Sequence, residues 1–401
     1  MKKILNHIFY ISISLSISCS HLSNSALADY SNVTKIQYDE VNEELIGIDQ
    51  IINRCDYIRL ETEKTNLIGK IDQILFCDSF IVVVDKHIAK SIYVFDNEGH
   101  YLNRISRIGN GPGEYLIINH VAINEKSEVC ILDNIKERIT VFDITGRFVF
   151  SQNLPFRSRT FDCLGNDCFI FDVVDCFSLS RNKNVEKSCY AITDVNGRIK
   201  YTYGEDHSYK APSFQSYSDE IFKYDGRVFG RLEHGNTIYE FEQDSVWAKY
   251  ELSLKNSELY APTIEDMSTP GLYSEKKLKQ PSFSGHYIFC KDYSCYKLMF
   301  PEREKLYTWF FQSNKTGKIL TLSTESDDLV LSNFYNPLAR WGDNTLVQDI
   351  SPTILLSHKD DIFENSILEK PEALFDGLSL EDNPVLFLYT FNLDKVNKEY
   401  D

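Results

Sequence analysis

The stretch from Phe80 to Phe150 states one pattern twice, and that repetition constrains the fold more than any bulk property. "FIVVVDKHIAKSIYVFDNEGHYLNRI" is followed by "EVCILDNIKERITVFDITGRFVFSQ", with Asp85 answering Asp133, Phe95 answering Phe142 and Gly99 answering Gly146. Each copy is a β-branched run ending in Asp, a polar turn, a second run ending in Phe-Asp, a turn closed by Gly, and an aromatic third run. That is an antiparallel meander. A period of roughly 40 to 50 residues with several strands per unit is what a propeller blade requires.

The remaining units are read against these two. Blade 1 covers roughly 66–106 and blade 2 roughly 114–154. "CFIFDVVDCFSLS" with "CYAITDVNGRIKYTY" gives a third unit, "GRVFGRLEHGNTIYEFEQDSVWAKYEL" a fourth, and "HYIFCKDYSCYKLMF" with "KLYTWFFQSNKTGKILTL" a fifth. The sixth is expected to combine "DLVLSNF", "NTLVQDI" and "TILLSHK" with the two terminal runs. Six blades fit the visible count, with seven as the alternative. A lone early strand, "CDYIRLET", is expected to pair with the closing "NPVLFLYTFN", because a propeller exposes fewest edges when its first strand completes its last blade.

The turns Asp96 to Gly99, Asp143 to Gly146 and Asp194 to Gly197 fit tight hairpins, with Gly at positive φ and Asp accepting turn amides. They lack the alternating acidic ligands of a calcium loop, so no metal is assigned to them. Two insertions interrupt the rhythm. Residues 255–281 read as a polar loop with a helical turn at "SEKKLKQ", and 360–382 carries apolar residues at helical spacing.

The chain holds 59 acidic and 42 basic residues, a formal charge of −17, which disfavours nucleic acid and anionic membrane surfaces as partners. Residues 1–28 read as an export signal, with Lys2 and Lys3 ahead of an apolar run from Ile4 to Ile17 and a small-x-small site at Ala26-Leu27-Ala28. Cys19 offers a competing processing point, in which 1–18 is removed and Cys19 is lipidated. A polar lead-in (29–50) and a single propeller domain (51–401) follow, in a chain expected to be exported and monomeric, touching a membrane only through that anchor. Nine cysteines lie beyond Cys19. Several sit in strand-like runs as small buried hydrophobes, and those from Cys163 to Cys189 are candidates for disulfides.

"RISRIGNGPGEYLIINHVAIN" and "LEDNPVLFLYTFNLD" together resemble an exported bacterial family of six-bladed β-propellers related to NHL-repeat and TolB-like propellers. There a G-x-GPGEY element, here Gly109 to Tyr115, links the first two units, and a D-N-P-V-L strand, here Asp382 to Leu386, ends the chain. The resemblance implies fold and export, and no catalytic residue set.

The glycine-rich loop Gly109 to Gly113 lacks a P-loop's Gly-Lys-Ser/Thr ending and precedes a strand, so it reads as an inter-blade crossover. Arg104, Arg107, Glu114, Tyr115 and His120 surround it and form the candidate ligand-binding group. The function expected is non-catalytic recognition of a glycan, peptide or protein partner at the cell envelope, without cofactor. Aromatic residues in "YTYGEDHSYKAPSFQSYS" are candidates for stacking on sugars. The alternative is a metal-dependent lyase or lactonase of the NHL-like type, which needs His or carboxylate ligands converging at the channel. His87, His100, His120, His207, His234, His286 and His358 show no such spacing.

Overall fold

The Asp-x-x-Gly signals close hairpins as their chemistry requires. At the first, the Gly99 amide donates to the Asp96 carbonyl at 3.1 Å while the Asp96 carboxylate accepts the amides of Glu98 and His100. Asp143 and Asp194 serve their turns in the same way. Gly99 has φ +91°, a region open to glycine without strain. A Cβ there would also lie 2.3 Å from the Arg59 carbonyl oxygen of the neighbouring sheet, so this glycine permits close approach as well as the turn.

A computed structural model describes residues 24–26, 28–77, 79–173, 185, 190–203, 221–231, 235–261, 266, 269, 271–323, 328–332, 334 and 337–394. It is a ring of six small sheets, a six-bladed β-propeller. Blades 1 to 5 span 73–105, 120–153, 161–203, 221–254 and 282–323. Blade 6 takes Ala339–Trp341, Thr345–Ile350 and Val385–Phe391, and its outer strand is Ile52–Arg59 from the far end of the chain. That strand lies antiparallel to Val385–Phe391, with Arg59 opposite Val385 and Ile52 opposite Phe391. The expected closure is therefore the one observed.

Blade strands bury both faces, so the core divides into six clusters, one at each junction between neighbouring blades. Within Phe80–Asp85, Val82 and Val84 enter the cluster shared with blade 2, while Ile81 and Val83 enter the one shared with blade 6. Strand alternation thus sends neighbouring residues into different cores. It also explains why these strands read as continuous apolar runs.

Two parts of the sequence reading need correction. "DLVLSNF" and "TILLSHK" do not supply strands to blade 6, since Leu329–Ser332 and Pro352–Ser357 are helical. The Asp328 carboxylate accepts the Val330 amide, and Ser351 caps a helix that begins with Pro352, so local capping chemistry prevails over apolar content. The chain ahead of Ile52, which the sequence reading divides between the export signal and the polar lead-in, is also more ordered than its composition suggests. Asn24–Ala26, Thr34–Tyr38 and Leu45–Gly47 add a parallel fifth strand to the outer edges of blades 3, 4 and 5 in turn. Helices do form in the insertions, at Leu272–Lys277, Lys359–Asn365 and Pro371–Phe375. The last two pack onto the core between blades 5 and 6 through Ile362, Leu374 and Phe375.

Asp133 is fully buried and its carboxylate accepts the amides of Leu116, Ile135 and Lys136. Asp133→Ala leaves those donors without their acceptor and is expected to cost roughly 2–4 kcal/mol. Glu98→Ala, at an exposed turn, is expected to stay within about 0.5 kcal/mol. Urea melts of the two variants check the contrast.

Candidate functional site

Connections around the ring fall into two classes. Those from each outer strand to the next inner strand, and those between second and third strands, share one face; the turns between first and second and between third and fourth strands share the other. The longer connections 106–119, 255–281 and 351–384 all belong to the first class, whereas 97–100 and 143–147 on the opposite face are tight turns. Variable loops on a rigid frame are where binding residues concentrate.

On the long-connection face a buried Asp ends the second strand of blades 1, 2 and 3. Asp85 accepts the amides of Gly69, Lys70, Ile88 and Ala89. Asp133 holds the crossover at Leu116, and Asp172 accepts the Ser158 hydroxyl and the amides of Arg159 and Thr160. Asp85 and Asp133 therefore fix the connection arriving from the preceding blade to a turn of their own, and Asp172 holds the arriving connection at 158–160. In blade 4 the same register position is Arg231, since Gly230 faces Ile221 as Val84 faces Gln73. Arg231 is 1 % exposed, lies 5.0 Å from the Phe283 ring centroid and donates to the Gly235 carbonyl.

The glycine-rich crossover is built around Tyr115. Backbone bonds join Gly109 to Tyr115 and Tyr115 to Arg107, and the fully buried Tyr115 hydroxyl lies within hydrogen-bond distance of the Lys90 and Ile105 carbonyls. Burial pushes that phenol up to about 12. Gly113 has φ +70°, and a Cβ there would fall 2.8 Å from the Phe148 ring. Glu114 accepts the Gly111 amide at 2.6 Å. The motif is a crossover lock.

Of the predicted binding group, Arg104, Arg107 and Glu114 share this loop cluster. Arg104 donates to the Ser91 hydroxyl and the Thr65 carbonyl and lies over the Tyr93 ring; Arg107 lies 5.9 Å from the Phe142 centroid. His120 is apart from them, buried on the inner strand of blade 2, edge-on to Phe161 and 3.4 Å from Gln73 Nε2. The sequence reading missed Leu67, Ile88 and Ile135, exposed aliphatic residues on the same loops. Their signal was an apolar residue inside an otherwise polar turn, as in Asp-Lys-His-Ile88 and Asp-Asn-Ile135.

The inner strands touch one another across blade boundaries. The Gln73 amide exchanges hydrogen bonds with the Val121 backbone, Lys223 lies 3.8 Å from Asp162, Phe222 packs on Tyr287 and Phe289, and Phe76 stacks on Trp341. Arg340 of blade 6 lies over Tyr224 of blade 4. These polar and aromatic groups hold blade to blade. Among the described residues, the one group of His, Cys, Asp or Glu side chains close enough to share a metal is Asp96, Glu98 and His100, within 4.8 Å on an outer turn rather than at the inner strands. Asp96 and His100 already pair with each other there, as Asp143 pairs with Arg147 in the next blade.

Cys55, Cys77, Cys130, Cys163, Cys168, Cys290 and Cys295 are free thiols, so neither Cys163 nor Cys168 is in a disulfide. The hydrogen bond with the neighbouring Cys130, then burial, push the Cys163 thiol up, with the two sulfurs 4.0 Å apart. Cys19, Cys176, Cys189, His207, His234 and most of the aromatic loop after Tyr203 lie outside the described residues. Among the described residues no helix is long and apolar enough to cross a membrane.

The family model for Domain of unknown function (DUF4934) matches residues 33–390. No curated protein matches the chain. Among solved structures, a Bacteroides fragilis protein described as exported is 15 % identical, with 90 % of this chain and 100 % of that one aligned at a TM-score of 0.70. A DUF4221 family member from Bacteroides vulgatus is 11 % identical over 85 % of this chain and 97 % of that one, with a TM-score of 0.47. Virginiamycin B lyase from Staphylococcus aureus is 15 % identical over 68 % and 75 %, with a TM-score of 0.33. The first similarity carries the fold, and the other two carry no functional argument.

The Asp96 carboxylate 2.9 Å from His100 Nδ1 raises the His100 pKa above its ordinary 6.5. The folded-state value is the higher one, so this pair's contribution is fully present below the unfolded pKa and is lost as pH rises through the folded pKa. Imidazole titration by NMR should place His100 above 6.5, with Asp96→Asn returning it toward that value.

Proposed function

The chain belongs to the DUF4934 family, and on that premise we propose that it is a non-catalytic binding propeller of the cell envelope, using the face that carries the long connections. The observation behind this reading is the division of labour between the two regions. The inner strands use their polar and aromatic groups to hold adjacent blades, while the longer connections gather on one face. A glycan, a peptide or an envelope protein are the partner classes in view.

Export is supported by the apolar run from Ile4 to Ile17 and by the fold shared with a Bacteroides fragilis protein described as exported. Processing at Cys19 is favoured over processing after Ala28. Cleavage after Ala28 removes Asn24–Ala26, the strand that pairs with Tyr201–Tyr203 at the edge of blade 3, whereas cleavage ahead of Cys19 keeps it. Because Asn24 pairs with Tyr201 in parallel, the chain enters the ring near the short turn 195–198. A lipid on Cys19 then tethers the ring from the side opposite the long connections.

Two measurements test this. Metabolic labelling with palmitate should mark the chain and be abolished by Cys19→Ala; an N-terminus at Asp29 would contradict the anchor. Benzophenone side chains placed at His87 or Ser106 should crosslink to envelope components in intact cells, and at Asn97 or Thr145 should not. Crosslinking independent of face, or none from either, would refute the binding reading.

A further inference from the structure

On the long-connection face, blades 1 and 2 expose four aliphatic side chains on neighbouring connections. Leu67, Ile88, Ile108 and Ile135 are 51 %, 65 %, 52 % and 58 % exposed. A single exposed aliphatic residue is ordinary, but these four sit on loops bonded to one another. Arg104 donates to the Thr65 carbonyl, and Asp85 joins Gly69 to Ile88. The Tyr115 hydroxyl reaches the Lys90 carbonyl, and Lys136 Nζ donates to the Glu114 carbonyl at 2.9 Å. Apolar side chains on one cross-braced surface, rimmed by polar groups, mark an interaction site.

The rim is cationic in a chain whose net charge is −17. Lys86, Lys90, Arg104, Arg107 and Arg138 have no carboxylate partner among the described residues; Arg104 and Arg138 are held instead by carbonyl and hydroxyl oxygens. The nearby acids are tied up elsewhere: Glu114 accepts the Gly111 amide, Glu137 pairs with Arg157, Asp72 pairs with Lys70, and the buried Asp85 and Asp133 accept backbone amides. Positive charge on this surface is therefore available to an anion.

We propose that the long-connection surface of blades 1 and 2 is a docking site for an acidic polypeptide segment bearing aliphatic side chains. The proposal rests on the binding reading above and names its partner's chemistry. Aliphatic anchors ringed by cations complement such a segment in both shape of contact and sign of charge. A glycan is the poorer fit, because sugar faces stack on aromatic rings and the exposed anchors here are Leu and Ile. An anionic membrane is also the poorer fit, because the chain enters the ring on the short-turn side.

The test selects random peptides displayed on phage against the purified full chain. Enriched peptides should be rich in Asp and Glu together with Leu, Ile and Val, and their affinity should fall as salt is added. Ile88→Ser with Ile135→Ser, and separately Lys86→Glu with Arg107→Glu, should each weaken the best peptide about tenfold or more. All four positions lie at the surface, so unchanged thermal melts would show that the fold is kept. Selection of peptides without acidic residues, or affinities that neither double variant alters, would overturn the proposal, as would patch-dependent binding to phosphatidylglycerol vesicles without peptide enrichment. Benzophenone crosslinking in cells separates the two levels. Crosslinks from the 255–281 side but none from Ile88 or Ile135 would sink this surface and leave the binding reading intact, whereas none from the whole face would sink both.

Discussion

Everything in this molecule depends on the pairing of Ile52–Arg59 with Val385–Phe391. A blade that buries apolar residues on both faces has no stable existence without a neighbour on each side, and a row of such blades leaves two bare faces unless it closes. Val347, Leu386 and Leu388 of blade 6 meet Ile74, Ile81, Val83 and Phe95 of blade 1 in one cluster. That contact is between the two ends of the repeat array, and the terminal strand pairing holds it together. Ring closure is thus a requirement imposed by the repeat.

The N-terminal segment extends that logic around the rim. Before completing blade 6 it adds a strand to blades 3, 4 and 5, each time parallel to the outer strand. Ile36 and Tyr38 carry it into the core between blades 4 and 5, and the Tyr38 hydroxyl bonds Thr321 of blade 5 at 2.8 Å. Exposed edges are liabilities, and the chain covers three of its own. Blades 1 and 2 keep four strands, and the same two blades carry the exposed aliphatic and cationic loops. One arc of the ring is laced and the other is open.

Much of the architecture was legible because blades 1 and 2 keep strong local signals: Asp at the end of the second strand, Phe-Asp before the turn, Gly at positive φ. Closure was legible from an orphan strand and the need to satisfy it. Less legible was blade 6, where two apolar runs in strand-like company turned out helical because Asp328 and Ser351-Pro352 offer caps that composition does not reveal. Thr34–Tyr38 was hidden because only Ile36 and Tyr38 of its residues are buried, too short an alternation to stand out from the polar run around it. As for the site, Tyr115 was picked for its position beside a glycine loop and is instead a buried lock, while Ile88 and Ile135 drew no notice because single apolar residues in turns are common. Sequence marks the residues that shape a loop more clearly than those the loop presents.

Amide hydrogen exchange followed by mass spectrometry tests ring closure most directly. Peptides covering 52–59 and 385–391 should fall in the slowest-exchanging class and lose protection together, only when the whole ring unfolds. Rapid exchange across 52–59 while 385–391 and blades 1 and 2 stay protected would mean that the terminal strand is an accessory, and would contradict the account.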